Sequence, residues 1–209
     1  MTKKIQKRDA TVSKQLIIKN AIKLFSKKGY GGASMDELSK MCNLNKAMVF
    51  YYFKNKKGLY EAVMQEILEE IYNTVIKENK LHDNPIAELE GFIKTYASFA
   101  CSHPYLPALL LKELSDSGAV IPEVLFASMR KLFALFSDIL KRGGYDDEIP
   151  MVLYFMILGT INLMVTTKPL RQKAQTLDDI EIDTCASCEI EDISEYVIQK
   201  IKLMLKEPM

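Results

Sequence analysis

Apolar residues recur at helical spacing along almost the whole chain, and polar or turn-forming residues divide that pattern into successive amphipathic segments. Between 12 and 28, Ile17, Ala21, Leu24 and Phe25, flanked by Ile18 and Ile22, keep to the period of a helix. Gly29 closes the segment at a position where a left-handed residue is easiest. Residues 1–10 ahead of it are polar and are expected to fray. Two short helices follow, 34–41 with Leu38 and Met41 on one side, and 46–53. A longer one over 58–80 carries Leu59, Val63, Ile67, Ile71 and Val75. The pattern then predicts helices over 85–102, 105–114, 122–142, 146–167 and 192–206, with Pro169 beyond the end of the fourth of these. Residues 170–189 read as a polar, acidic loop. No segment alternates as a strand does and none repeats, so the expected fold is all-α, with about nine helices.

The stretch from 34 to 60 is the most specific. Ser34 can accept backbone N–H groups at a helix start, and Glu37, three residues on, can reach back to complete a capping box. Asn43 breaks the helix, Leu44 plugs the turn, and Asn45 caps the next helix. That next helix holds Phe50, Tyr51, Tyr52 and Phe53 in a row. Successive helical residues point about 100° apart, so four consecutive aromatics cannot all face one core. Phe53 is expected inside, and some of the others must project outward. Two short helices joined by three or four residues, the second offering its N-terminus and polar-tipped rings, have the geometry of a helix-turn-helix. The expected organisation is a three-helix unit over 1–57 and a larger helical unit over 58–209, joined by the long helix that begins at 58.

Charge sharpens this division. The 209 residues carry a net charge of +1. Residues 1–60 hold 14 Lys and Arg against three acids, and residues 61–209 hold 14 against 24. A basic head on an acidic body points to a polyanionic partner at the head. At 48% hydrophobic residues the chain has ample material for a core. The apolar run 149–167 is slightly short of the roughly 20 residues a membrane span needs. It also contains Pro150, Gly159, Thr160 and Asn162, and reads as a buried helix. Residues 1–10 are charged and lack the apolar stretch of a secretory signal, so cytoplasmic work with no membrane partner is expected. The four cysteines are scattered and do not form a disulfide framework. No nucleophile–base set, phosphate-cradling glycine loop or carboxylate pair suggests an enzyme, and no metal or cofactor is implied. Cys185 and Cys188 are the one redox- or metal-like pair; within one chain they lack partners for a closed tetrahedral site.

The segment 16–63 resembles the DNA-binding domain of the tetracycline-repressor (TetR) family of bacterial transcription regulators. The likeness is carried by the helix 17–25, Lys28-Gly29-Tyr30, 34–38, the turn Asn43-Leu44-Asn45-Lys46, and 49–56 with its aromatic row. About a dozen positions agree in order and spacing. The resemblance implies a ligand-responsive, dimeric regulator, a repressor released from a two-fold operator by a small, mainly apolar effector. It implies DNA contacts from Tyr51, Tyr52 and Lys56, with Lys56 on a phosphate; Ser34, Asn45 and Phe50 are assigned to the same DNA-binding surface, Phe50 without the phosphate bond a tyrosine hydroxyl would give. Lys46, Ala47 and Met48, at the exposed first turn of the second short helix, are the residues best placed for base edges. Two positions depart from the family: Phe50 stands where tyrosine is usual, and Asn45 where serine or threonine is usual.

One short helix reads few base pairs, so the body must supply a dimer. The run 149–167 is apolar all round and so has two faces to bury. Tyr154, Ile157, Ile161 and Met164, with Tyr196 and Ile201 of the last helix, are the face assigned to a twin. The effector pocket implied by the family is assigned to Tyr96, Phe99, Met129, Phe133, Phe155 and Asn162, side chains that any helical core would also use. Two other readings stay open: a helical protein–protein adaptor without DNA binding, and a redox or metal sensor acting through Cys185 and Cys188.

Overall fold

A computed structural model describes residues 2–78, 84–115, 123–145, 149–174 and 190–206. Nine helices make up the described residues: α1 Thr2–Gly32, α2 Met35–Cys42, α3 Lys46–Phe53, α4 Lys56–Glu78, α5 Pro85–Ser102, α6 Tyr105–Ser115, α7 Glu123–Arg142, α8 Pro150–Ala174 and α9 Ile190–Lys206. They fall into two compact units, 1–68 with 109–126, and 69–108 with 127–209. The expected boundary lay at 58; the two compact units part between Leu68 and Glu69, within α4. Cys185, Cys188 and the acids at 146–148 lie outside the described residues.

In the first unit α1 packs on α2 and α2 on α3. Ile17, Ala21, Leu24 and Phe25 of α1 close on Leu38, Val49, Phe53, Leu59 and Val63, all buried. Tyr60 stands edge-on to Phe25 at 5.0 Å and to Tyr30 at 5.1 Å, so three rings knit the centre. The helix α1 starts at Thr2 rather than near 12. Nothing between 2 and 16 breaks a helix, so α1 propagates back from its packed part without a new nucleus. At Gly29 it is interrupted by φ 67°, ψ 178°, a conformation open essentially to glycine alone. Ser34 caps α2 by accepting the Glu37 N–H at 3.1 Å. The Glu37 carboxylate does not complete the expected capping box; it receives Lys28 Nζ at 2.7 Å. Met41 turns out to be exposed, and α2 buries Met35, Leu38 and Cys42 instead. Asn43, left-handed at φ 52°, ends α2, with its N–H and that of Leu44 returning to Lys40 and Ser39 carbonyls.

In the second unit α5 packs on α8 and α9, and α8 on α9. Leu89, Phe92, Ile93 and Tyr96 of α5 meet Phe136, Ile139 and Leu140 of α7 and the inner sides of α8 and α9 in one core. Two polar contacts fix the register. Glu88, 1% exposed, accepts N–H groups from Nη1 and Nη2 of Arg142 at 2.8 and 2.9 Å, tying α5 to α7. The Tyr96 hydroxyl donates to Asn162 Oδ1 at 2.8 Å, tying α5 to α8. Burial pushes the Tyr96 phenol up to about 12 and raises that of Tyr154 too. The helix α8 runs on through Pro169 to Ala174, past its expected end at 167. Across this turn the Arg171 guanidinium donates back to the Met164 carbonyl and Thr167 Oγ1, while the carbonyl that loses its helical N–H donor to Pro169 is that of Val165. By length and composition α8 could cross a bilayer, but a third of its most apolar window is buried against its own chain.

Candidate nucleic-acid interface

The reader helix α3 is anchored by two residues. Val49 and Phe53, one turn apart, are buried, and this fixes the helix's rotation. Asn45 caps it, accepting the Ala47 N–H at 2.9 Å. With that side inward, Lys46, Ala47, Met48, Phe50 and Tyr51 face out, and Tyr52 is half-buried. Tyr51 is 82% exposed, with its ring edge-on to Tyr52 at 5.4 Å. Ser34 and Asn45 are also on the surface, and Lys56 is half-buried. Phe53 lies in the core as expected, while Phe50 is at the surface.

The turn from α3 to α4 is tight. The Asn55 N–H donates to the Phe53 carbonyl at 2.6 Å across Lys54, which sits at φ 60°, ψ −52°. That is a three-residue γ-turn of the strained hand. Asn55 then caps α4, accepting the Gly58 N–H at 2.8 Å, so α4 begins at Lys56, two residues before its expected start. A Cβ on Gly58 would lie 2.6 Å from the Phe53 carbonyl oxygen, so the turn requires glycine there. Lys56, in the first turn of α4, points back: its ammonium donates to the Gly31 carbonyl at 3.2 Å and lies 4.7 Å from the Tyr30 ring centre. Lys46 is held too, at 2.7 Å from Asp36 Oδ1 and 5.8 Å from the Phe50 ring centre. Sequence reasoning missed the parts of Asp36 and Tyr30. Both are contacts between different helices, and no local spacing marks them.

The residues assigned to a pocket and to a dimer are placed less as expected. Tyr96, Phe99 and Asn162 are buried, Met129 and Phe133 are half-buried, and Phe155 is 52% exposed. An open cleft of ≈ 480 Å³ lies along α4 and α5, lined by Glu70, Thr74, Lys94, Ser98, Phe99 and His103 among others. Phe99 is the one expected pocket residue that borders it, and the rest of its lining is polar. On α8 the two faces are exchanged. Tyr154, Ile157 and Ile161 are packed inside their own unit, Tyr154 edge-on to Phe133 and Phe136 at 5.5 Å, and Ile201 of α9 is buried as well. Met164 is half-buried. The face left open carries Val152, Phe155, Met156 and Leu163, with small Gly159 and Thr160 between them. Tyr196 and Leu203 of α9 are exposed too. Asn162 is buried at the margin of the same side as Tyr154, Ile157 and Ile161, its Oδ1 accepting from the Tyr96 hydroxyl.

Residues 17–63 match the family model for bacterial regulatory proteins, tetR family. The chain is similar to the probable HTH-type transcriptional regulator YttP of Bacillus subtilis (strain 168), 26% identical over 162 residues that cover 75% of this chain and 78% of that one. It is similar to the HTH-type transcriptional regulator RutR of Escherichia coli (strain K12), 23% identical over 199 residues, 93% of each. Among solved structures, the transcriptional regulator FadR from Bacillus subtilis in complex with stearoyl-CoA superposes with a TM-score of 0.70 at 18% identity, covering 88% of this chain and 95% of that one. At that identity the likeness is one of fold.

Proposed function

We propose that this chain, which belongs to the TetR family of bacterial regulatory proteins, is a dimeric, sequence-specific DNA-binding transcription regulator, a repressor that a small effector releases from its operator. The observation that carries the reading is the outward side of α3. Tyr51, Phe50 and Met48 are exposed around Lys46, on a helix whose only buried residues are Val49 and Phe53. A groove of duplex DNA covers such a surface: phosphates meet the lysines and the Tyr51 hydroxyl, while Lys46, Ala47 and Met48 reach base edges. Lys56, at the start of α4 where helix N–H groups also favour an anion, would turn from the Gly31 carbonyl and the Tyr30 ring to take a phosphate.

The second copy is met through the open apolar face of α8 and the exposed side of α9, in a four-helix arrangement. The effector is a small, mainly apolar molecule. Half-buried Met129 and Phe133, the latter against Tyr154, are the adaptable side chains that support this. A regulator of this kind works where DNA is, in the cytoplasm.

Gel-shift titration against the DNA upstream of its own gene tests the reading, with Tyr51→Ala and Lys56→Ala as controls. Both variants are expected to weaken the shift by at least about fivefold, on the scale of one charge-assisted phosphate contact. Unchanged binding in both would remove α3 and the start of α4 from the interface.

A further inference from the structure

The first turn of α2 carries two acids, and each holds a lysine of a neighbouring helix: Glu37 holds Lys28 of α1, and Asp36 holds Lys46 of α3. The second pair stands out because Lys46 is the reader helix's own cation, at its outward N-terminal turn. Its side chain is 50% exposed and that of Asp36 is 63% exposed, so the pair lies at the surface, with the Phe50 ring near the ammonium. A pair this exposed contributes little to folding. It changes what Lys46 can bind.

We propose that Asp36 is a positioning residue that sets sequence selectivity by acting on Lys46. This inference rests on the DNA-binding reading above. Free of Asp36, Lys46 would be a mobile cation at the protein–DNA boundary and would gain from every phosphate along a duplex, whatever the sequence. Held at 2.7 Å by Asp36, its charge is already answered, and a phosphate approaching it also meets the Asp36 carboxylate. The ammonium has three N–H groups, one of which serves Asp36. Two remain for neutral acceptors such as guanine O6 and N7, which Lys46 can take without leaving its partner. The Phe50 ring, 5.8 Å away on Lys46's own helix, narrows its range further. The site thereby favours a base edge over the backbone. Phe50 suits this arrangement, since a ring without a hydroxyl adds no phosphate contact of its own.

The test compares wild type with Asp36→Asn, Asp36→Glu, Lys46→Met and the double variant Asp36→Asn/Lys46→Met. Fluorescence anisotropy at one fixed salt concentration reads binding to the duplex that wild type selects from a random pool, and to a scrambled duplex of the same length. Asp36→Asn is expected to tighten scrambled binding about three- to fivefold, the scale of one exposed ion pair, while selected-site binding stays within about twofold. Asp36→Glu is expected to restore the wild-type ratio. In the Lys46→Met background the Asp36→Asn effect is expected to disappear. Equal tightening on both duplexes would overturn the inference, as would the same tightening without Lys46, which would mark a general field effect. Circular dichroism of each variant separates these outcomes from misfolding, and loss of the ratio in a folded Asp36→Glu protein would also count against it. If wild type selects no duplex at all, the DNA-binding reading falls and takes this inference with it. If wild type selects a site and Asp36→Asn leaves both affinities unchanged, the inference alone falls.

Discussion

Lys54 pays a conformational cost that glycine would avoid. A side chain at φ 60°, ψ −52° is strained by roughly 1–3 kcal/mol, and here the strain closes the turn that sets α3 against the start of α4. Lys54→Gly is expected to raise unfolding stability by about 1 kcal/mol in urea titration, part of the relief being offset by glycine's greater freedom when unfolded. Lys54→Ala, which keeps a Cβ, is expected to gain nothing. Tyr96 makes a prediction about pH. Its phenol is raised from the ordinary 10.0 to about 12 by burial, so the folded state favours the neutral form more than the unfolded chain does. Stability from this group is therefore fully present below pH 10 and is lost as pH rises from 10 through 12. Tyr96→Phe is expected to flatten part of that alkaline fall in thermal melts, and Tyr154, raised in the same direction, to account for another part. At this scale much of the reader site was legible from the residues. Caps such as Ser34 and Asn45 act within three positions of themselves, and the aromatic row announced that some rings must be exposed. The grips on Lys46 and Lys56 were not legible, because Asp36 and Tyr30 come from other helices.

Between elements, the α5–α7 contact turns on one buried charge. Glu88 is held by Arg142, whose third N–H goes to Asp138 at 2.8 Å. These hydrogen bonds, to Glu88 first and then Asp138, raise the guanidinium pKa still further above its already high value. Arg142→Met would strand the Glu88 carboxylate and is expected to cost about 3–5 kcal/mol in chemical denaturation. Glu88→Leu combined with Arg142→Met is expected to recover most of that loss, which would separate the stranded charge from lost packing. The helices themselves were legible because each buries one stripe at its own period. Ends were less so: α1 reaches back to Thr2, and α8 runs on past Pro169 to Ala174. The rotation of α8 was not legible at all. A helix apolar all round carries no phase in its hydrophobic pattern. Asn162 is buried with a bond to Tyr96, 66 positions away, at the margin of the side on which Tyr154, Ile157 and Ile161 are buried.

For the whole molecule, the proposed function requires two copies acting together, because one reader helix spans too few base pairs to select a site. The open stripe of Val152, Phe155, Met156 and Leu163, with Tyr196 and Leu203 of α9, is the surface that pairing would cover. Phe155→Glu with Leu163→Glu is expected to give a folded monomer by light scattering. Operator affinity should fall on the order of a hundredfold, the loss that follows when two linked contacts become one. The central claim is that α3 reads a duplex from a symmetric pair of chains, and selection of bound sites from a random duplex pool tests it most directly. Enrichment of a two-fold symmetric sequence is expected, two matching half-sites at a fixed spacing, lost when Tyr51 and Lys46 are both replaced by Ala. Enrichment of an asymmetric single site, or no enrichment at low salt, would contradict it.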